Sequence, residues 1–293
     1  PANVIYAEGC KKMGTDRSGF KSAMDAVSQA DKVLMVIGED WDWSGEAASR
    51  TDIDVPGVQS ELLQMIASSG KPVAVVLLNG RPLVLEEESM AADAILEAWY
   101  PGTMGAEAVT DLIFGQYNPS GKLTMTFPRN VGQIPLFYYE KNTGRPIYLP
   151  SDKYKSKYLD SQNDPLYPFG HGLSYTDFEY SDLTISSPVM KKGKTIEASV
   201  KVTNIGQRTG EETVQLYIRD LIGSVTRPVK LLKGFAKLTL APGESKTVTF
   251  TISEDMLAFW KHDMTFGTEE GDFKVMVGGS SSELLQAAFT LVP

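Results

Sequence analysis

The sequence predicts two domains of different class, a mainly parallel α/β layer followed by an all-β sandwich. Three observations predict it. Up to about Phe127, short apolar runs alternate with segments of helical period, the pattern of strands joined by crossover helices. From about Phe178 the hydrophobic period falls to two, and turn residues recur at short intervals. Between them, residues 129–177 lose regular period and are rich in Pro, Gly, Tyr and Asn.

In the first part, Val4-Ile5-Tyr6 is a short strand candidate. Ser18 to Ala30 carries Phe20, Met24, Val27 and Ala30 on one helical face. Val33–Ile37 reads as a buried strand closed by Gly38. Pro56 stands at an expected first helical position. Val58, Leu62, Leu63 and Ile66 mark the buried side of that helix, and Gly70 ends it. Val73–Leu78 is the next strand, with Asn79-Gly80-Arg81-Pro82 as its exit loop. Leu83 to Ala91 reads as a helix with Glu86, Glu87 and Glu88 on its wet side. Ala94–Trp99 is a strand leaving through Tyr100-Pro101-Gly102-Thr103. Ala106 to Phe114 is a helix closed by Gly115, and Leu123–Phe127 follows the turn Asn118-Pro119-Ser120-Gly121 as a last strand. Strands apolar throughout are expected where helices cover both faces of the sheet.

The aromatic content of residues 129–177 argues for an ordered interdomain strap rather than a disordered linker. The expected domains are therefore 1–128, the strap 129–177, and 178–293. In the last, Ile196–Thr203, Thr213–Arg219, Leu238–Leu240, Lys246–Ile252, Phe273–Val277 and Ala288–Leu291 alternate in period two. Turn residues at Asn204-Ile205-Gly206, Ala241-Pro242-Gly243-Glu244 and Glu270-Gly271-Asp272 separate them. Short strands with one wet face predict a sandwich of immunoglobulin-like or fibronectin type III-like kind.

The chain has 293 residues and a formal net charge of −9. No basic stripe is present to neutralise phosphates, which argues against nucleic acid. No run of 18 apolar residues occurs, so no transmembrane helix and no membrane partner are expected. One cysteine, Cys10, excludes an intrachain disulfide, and with two histidines a structural zinc site is not expected. Neither a Gly-x-Gly-x-x-Gly nor a Gly-Lys-Ser/Thr motif is present, and no Gly-x-Ser-x-Gly elbow appears. No signal peptide is visible, and the chain opens on Pro rather than Met, as expected of a processed chain or a piece of a longer one.

The chemistry concentrates in residues 38–56, the loop at the carboxyl end of the Val33–Ile37 strand, where open α/β sheets bind ligands. It holds Trp41 and Trp43 and four carboxylates before Arg50: Glu39, Asp40, Asp42 and Glu46. Glu39 follows the strand directly and is expected to order the loop, while Asp40 and Asp42 are expected to face water. Arg50 is expected to be an ion-pair partner, with Glu46 among its candidates. Asn79 and Arg81, in a strand-exit loop, either reach a ligand or fix the loop by hydrogen bonds, and the second is expected. His171 is expected to be a hydrogen-bonded strap residue, His262 a surface residue and Cys10 an inert small hydrophobe.

Several motifs stand in one order over nearly the full length. They are Ser44-Gly45-Glu46-Ala47-Ala48-Ser49-Arg50-Thr51, Leu78-Asn79-Gly80-Arg81-Pro82, Trp99-Tyr100-Pro101-Gly102 and Gly115-Gln116-Tyr117-Asn118-Pro119-Ser120-Gly121-Lys122-Leu123. Asn142-Thr143-Gly144-Arg145-Pro146 and Tyr167-Pro168-Phe169-Gly170-His171-Gly172-Leu173-Ser174-Tyr175 complete the set. In these the chain resembles the C-terminal two domains of a three-domain glycoside hydrolase family 3 enzyme of the periplasmic β-glucosidase group. The resemblance implies an α/β sandwich, then a fibronectin type III-like domain. It further implies an N-terminal (β/α)8 barrel in the same protein, which holds most of the sugar pocket and the nucleophilic Asp and which this chain is too short to include.

The same resemblance implies retaining hydrolysis of terminal β-D-glucosyl residues, with β-glucosides or oligosaccharides as substrates and no metal or organic cofactor. It implies Glu46 as the general acid/base. Retaining chemistry needs a second carboxyl as nucleophile, so the isolated chain is expected to be inactive or nearly so. Gly45 is expected to let the loop bend, and burial beside Trp41 and Trp43 to raise the Glu46 pKa. Trp41 and Trp43 either stack on the leaving-group sugar or pack the loop to its own domain. A non-catalytic carbohydrate-contacting or docking module, or the same part of a β-xylosidase, stands as the alternative. A periplasmic or secreted location is implied. An apolar patch near Trp41, Trp43 and the strand exits is expected to be sticky if bare, which leaves room for a homo-oligomer.

Overall fold

The computed structural model describes residues 3–145 and 153–293. Of the Asn142–Pro146 motif, Pro146 lies outside the described residues. The chain forms two compact units, Pro1–Ile113 with Phe127–Ile134, and Phe114–Thr126 with Pro135–Pro293.

The first unit is α/β. Its elements are α1 (Phe20–Gln29), β1 (Val33–Gly38), α2 (Gln59–Ala67), β2 (Val73–Leu78), α3 (Glu86–Ala91), β3 (Ala94–Glu97) and α4 (Gly105–Ile113). The strands form a parallel sheet in the order β1-β2-β3, with Val33 opposite Val73 and Ala74 opposite Ala94. Branched side chains suit a pleated sheet, and each strand is followed in the chain by a helix. Phe20, Ala23 and Val27 of α1, Leu62, Leu63 and Ile66 of α2, and Val73, Val75 and Leu77 of β2 make the core. The covering is uneven. On β1, Met35 and Ile37 are buried while Leu34 and Val36 are 47% and 59% exposed.

Six details differ from the sequence expectation. Val4-Ile5-Tyr6 forms no strand, and all three residues are exposed or partly so, because no sheet edge pairs with them. Pro56 precedes a turn rather than opening the helix, and α2 begins at Gln59. Residues 83–85 are not helical. Val84 N–H bonds to the Ile53 carbonyl at 2.9 Å, and Leu83 and Leu85 enter the core. Glu88 is buried rather than wet. It accepts a hydrogen bond from the Ser60 hydroxyl, and burial pushes its carboxyl above the usual range. Leu123–Phe127 is not a strand. Leu123 instead exchanges two backbone hydrogen bonds of 2.7 Å with Gly170 and His171, whose Gly-rich segment offers no longer ladder. A shorter β3 has a local cause too, since Trp99 takes a φ of 49° that a strand cannot continue.

The second unit is all β. It contains β4 (Phe178–Ile185), β5 (Val189–Lys191), β6 (Ile196–Asn204), β7 (Gly210–Asp220), β8 (Leu231–Leu240), β9 (Ser245–Ile252), β10 (Phe259–Trp260), β11 (Phe266–Gly267), β12 (Gly271–Gly278) and β13 (Leu285–Val292). A five-stranded sheet, β5-β13-β12-β7-β8, stands with a three-stranded one, β4-β6-β9, and with the short hairpin β10-β11. Period-two alternation sends Ile196, Ala198, Val200 and Val202 of β6 inward to meet Val214, Leu216 and Ile218 of β7 and Val275 and Val277 of β12. The segment before β4 packs onto this unit through aromatic rings: Tyr138 stacks on Phe169 at 4.4 Å and meets Tyr217 edge-on at 5.8 Å. His171 stacks on Tyr167 at 5.3 Å, and burial lowers its pKa.

Candidate active site

The loop that leaves β1 is built from its base upward. Gly38 closes the strand at a φ of 143°, and a Cβ there would stand 1.8 Å from the Leu78 carbonyl oxygen, so only glycine fits. Gln59, buried at the start of α2, clasps this residue. Its Oε1 accepts from Gly38 N–H at 2.9 Å, and its Nε2 donates to the Gly38 carbonyl at 2.9 Å and the Pro56 carbonyl at 2.8 Å.

Glu39 comes next and points inward, its side chain fully buried. It pairs with Arg50 at 2.7 Å and with Arg81 at 3.1 Å, and accepts from Gly80 N–H at 3.3 Å. Two guanidiniums are what a buried carboxylate needs to stay charged. They are also tied to the loop. Arg81 donates to the carbonyls of Trp43 and of Ala48, the latter at 3.0 Å, and Arg50 reaches the Asp54 carbonyl at 3.3 Å. The Arg50 guanidinium lies 4.8 Å over the Trp43 ring. A single buried carboxylate thus holds both ends of residues 43–50 through two arginines.

The outer part has its own fastenings. Asp40 caps the short 3-10 turn Trp41–Trp43, accepting from Trp41 N–H at 2.9 Å, and pairs with Lys12 at 2.6 Å. That pairing, with the capping bond, lowers its pKa, so Asp40 is a structural group rather than one that simply faces water. The Tyr100 hydroxyl donates to the Asp40 carbonyl at 3.0 Å, and burial raises its pKa.

Glu46 stands at the tip. It is bracketed by Gly45 at a φ of 134° and Ala47 at a φ of 59°, two positive-φ residues that throw the segment outward. The expected bend at Gly45 is present. The expected burial is not: Glu46 is exposed, Trp41 is 78% exposed, and Trp43 is half-buried beneath Arg50. Nor is Glu46 paired with Arg50, whose partner is Glu39. Asp42 is also exposed. The arrangement therefore presents a free carboxyl on a loop that is fixed from beneath, with Glu39 and Asp40 already spent on holding it.

Asn79 is fully buried and donates to the Arg81 carbonyl at 2.8 Å, a loop-fixing bond like those of Arg81 itself. Sequence reasoning missed Gln59 and Glu97, the last residue of β3. Glu97 left a signal, a carboxylate inside the apolar run Ala94–Trp99 where an unpaired charge is costly. Among the described residues no group of three His, Cys, Asp or Glu side chains is placed to hold a metal ion. No helix of the described residues is long and apolar enough to cross a membrane.

Residues 1–175 match the model of the glycosyl hydrolase family 3 C-terminal domain. The chain belongs to this family. Residues 212–281 of this family 3 chain match a fibronectin type III-like domain. It is 50% identical over 291 residues to a periplasmic β-glucosidase of Salmonella typhimurium, covering 98% of the chain and 38% of that protein. A β-xylosidase of Formosa agariphila is 44% identical over 278 residues, covering 95% of the chain and 38% of that protein. The crystal structure of a β-glucosidase from Listeria innocua in complex with glucose superposes with a TM-score of 0.91 at 38% identity, over 97% of this chain and 40% of that one. The chain thus spans about two-fifths of the length of these relatives.

Proposed function

We propose that this chain is the C-terminal part of a retaining, exo-acting β-glucosidase and supplies its general acid/base, Glu46. The nucleophile comes from a (β/α)8 barrel of the same protein. The observation that carries the reading is the exposed, unpaired Glu46 at the tip of a loop whose other acids are consumed in fixing it. A general acid must first reach the glycosidic oxygen and give up a proton, then take one from water. A carboxyl bonded to an arginine is poorly suited to both steps. Glu46 is free for both. Trp41, exposed on the same loop, offers a flat apolar face to the leaving-group sugar, and Trp43 supports the loop beneath Arg50. No step in this chemistry calls on a metal or an organic cofactor. A periplasmic or secreted location accords with the name of the Salmonella typhimurium relative.

The test is hydrolysis of aryl β-glucosides by a polypeptide that includes the barrel, with and without Glu46→Ala. The variant is expected to lose about 10²- to 10⁴-fold in kcat, with azide restoring turnover of substrates whose leaving group needs no acid. An unchanged kcat overturns the assignment. The 293-residue chain alone is expected to give no turnover. The Formosa agariphila relative favours a second reading of the sugar, and aryl β-xylosides in the same assay decide between the two.

A further inference from the structure

The chain leaving β3 is bent at a cost. Trp99 takes a φ of 49°, a left-handed conformation that a bulky residue keeps only where its surroundings hold it. Here they do. Trp99 N–H donates to Glu97 Oε1 at 2.9 Å, and the Trp99 ring meets that of Phe127 at 5.8 Å. Backbone strain of this kind clusters at functional sites. The next residue, Tyr100, reaches the loop that carries Glu46.

Tyr100 meets that loop twice. Its hydroxyl donates to the Asp40 carbonyl at 3.0 Å. Its ring edge and the Ser44 side chain close together over the bare face of Gly80. A Cβ on Gly80 would overlap Ser44 Oγ and Cβ and stand 2.8 Å from Tyr100 Cε2, so this close approach needs a glycine. Ser44 Oγ adds a long hydrogen bond of 3.4 Å to the Gly80 carbonyl. Asp40 and Ser44 are the two caps of the Trp41–Trp43 turn. One aromatic side chain therefore braces both ends of that turn, and only Gly45 separates the second end from Glu46. Gly45 has no side chain to limit its rotation, so the direction of Glu46 depends on where Ser44 is held.

We propose that Tyr100 is a positioning residue for proton transfer, bracing Asp40 and Ser44 so that the Glu46 carboxyl meets the glycosidic oxygen. This rests on the reading of Glu46 as the general acid/base. The role needs no contact between Tyr100 and sugar. What Tyr100 supplies is aim, and a misplacement of about 1 Å costs a reacting group about 10²-fold.

The test is kcat/KM of the barrel-containing polypeptide on two substrates. The leaving group of phenyl β-glucoside needs a proton, and that of dinitrophenyl β-glucoside does not. Tyr100→Ala is expected to lose about thirtyfold on the phenyl substrate and less than about threefold on the dinitrophenyl one. Tyr100→Phe keeps the ring against Ser44 and Gly80 and gives up only the bond to Asp40, so it is expected to restore most of the phenyl activity. The ratio of the two substrates within one preparation is independent of the fraction folded. Equal losses on both, the mark of a lost sugar contact or of general damage, overturn the positioning role, and so does full phenyl activity of Tyr100→Ala. Glu46→Ala, run alongside, keeps the two assignments apart. Its loss on the phenyl substrate alone supports Glu46 as the acid whatever Tyr100 does, whereas no loss on either substrate overturns the assignment of Glu46 and the role of Tyr100 together. In the 293-residue chain, hydrogen exchange at residues 41–46 is expected to quicken in Tyr100→Phe while α2 keeps its protection, and unchanged exchange overturns the brace at Asp40.

Discussion

Glu39→Gln removes one charge from the base of the loop and leaves two. Glu39 is fully buried, and its partners Arg50 and Arg81 keep 17% and 18% of their side-chain surface in water. Breaking a wholly buried pair from one side costs about 3–5 kcal/mol, because the remaining charge is stranded. Here the arginines recover some hydration, and the glutamine oxygen still accepts one bond. The expected cost is therefore about 2–3 kcal/mol, at or below the lower end of that range. Urea unfolding followed by tryptophan emission is the assay, since Trp41, Trp43 and Trp99 all lie in the α/β unit. The midpoint is expected to fall by about 1 M or more, with faster hydrogen exchange across residues 40–50. Glu86→Gln serves as a control, because Glu86 is 43% exposed and pairs with Arg129 at 3.1 Å, so its loss should cost under about 1 kcal/mol. A Glu39→Gln chain within about 0.5 kcal/mol of wild type, with exchange unchanged, refutes the view that this carboxylate organises the loop.

Three further outcomes follow from the same geometry. Glu97 has a carboxyl raised from 4.5 to about 7; in that interval the unfolded chain gives up this proton first, so the stability contributed at this site falls as pH rises. Below about 4.5 both states hold the proton and no cost arises, whereas above about 7 the full cost of about 3 kcal/mol applies, so Glu97→Gln should raise Tm relative to wild type at about pH 8 and not at about pH 4. Gly38→Ala drives a Cβ into the Leu78 carbonyl and should destabilise the α/β unit by about 3 kcal/mol or more, read as lower soluble yield and Tm. Leu34 and Val36 present an uncovered apolar strip, and sedimentation of the 293-residue chain should show self-association that Leu34→Lys reduces.

Most of the fold was legible because hydrophobic period carries it. The runs Val33–Ile37 and Val73–Leu78 have the branched composition and length of strands, although β1 is covered on one face only, and β6 alternates cleanly between buried and outward residues. The misses share a cause. Val4-Ile5-Tyr6 and Leu123–Phe127 have strand composition but lack a partner edge of strand length, which no local pattern reveals. Glu88 follows two other glutamates, and nothing in the triplet tells which one faces Ser60. At the site, Glu39 as the organiser of the loop was legible from its place directly after a strand. Its choice of Arg50 and Arg81 over Glu46's claim on Arg50 was not, because it depends on the loop folding back across β2. Gln59 was invisible for the same reason: its role lies in a clasp on Gly38, 21 residues earlier in the chain.

The fastenings of the Glu46 loop all originate in one compact unit: Lys12 before α1, Gln59 on α2, Arg81 after β2 and Tyr100 after β3. None of them belongs to a sugar or to another polypeptide. A part that carries its own jig can be exchanged without being refitted. Moving the whole unit into a relative would carry the shape of the loop along with its sequence, whereas moving residues 40–50 alone would leave Lys12, Glu39, Gln59, Arg81 and Tyr100 behind.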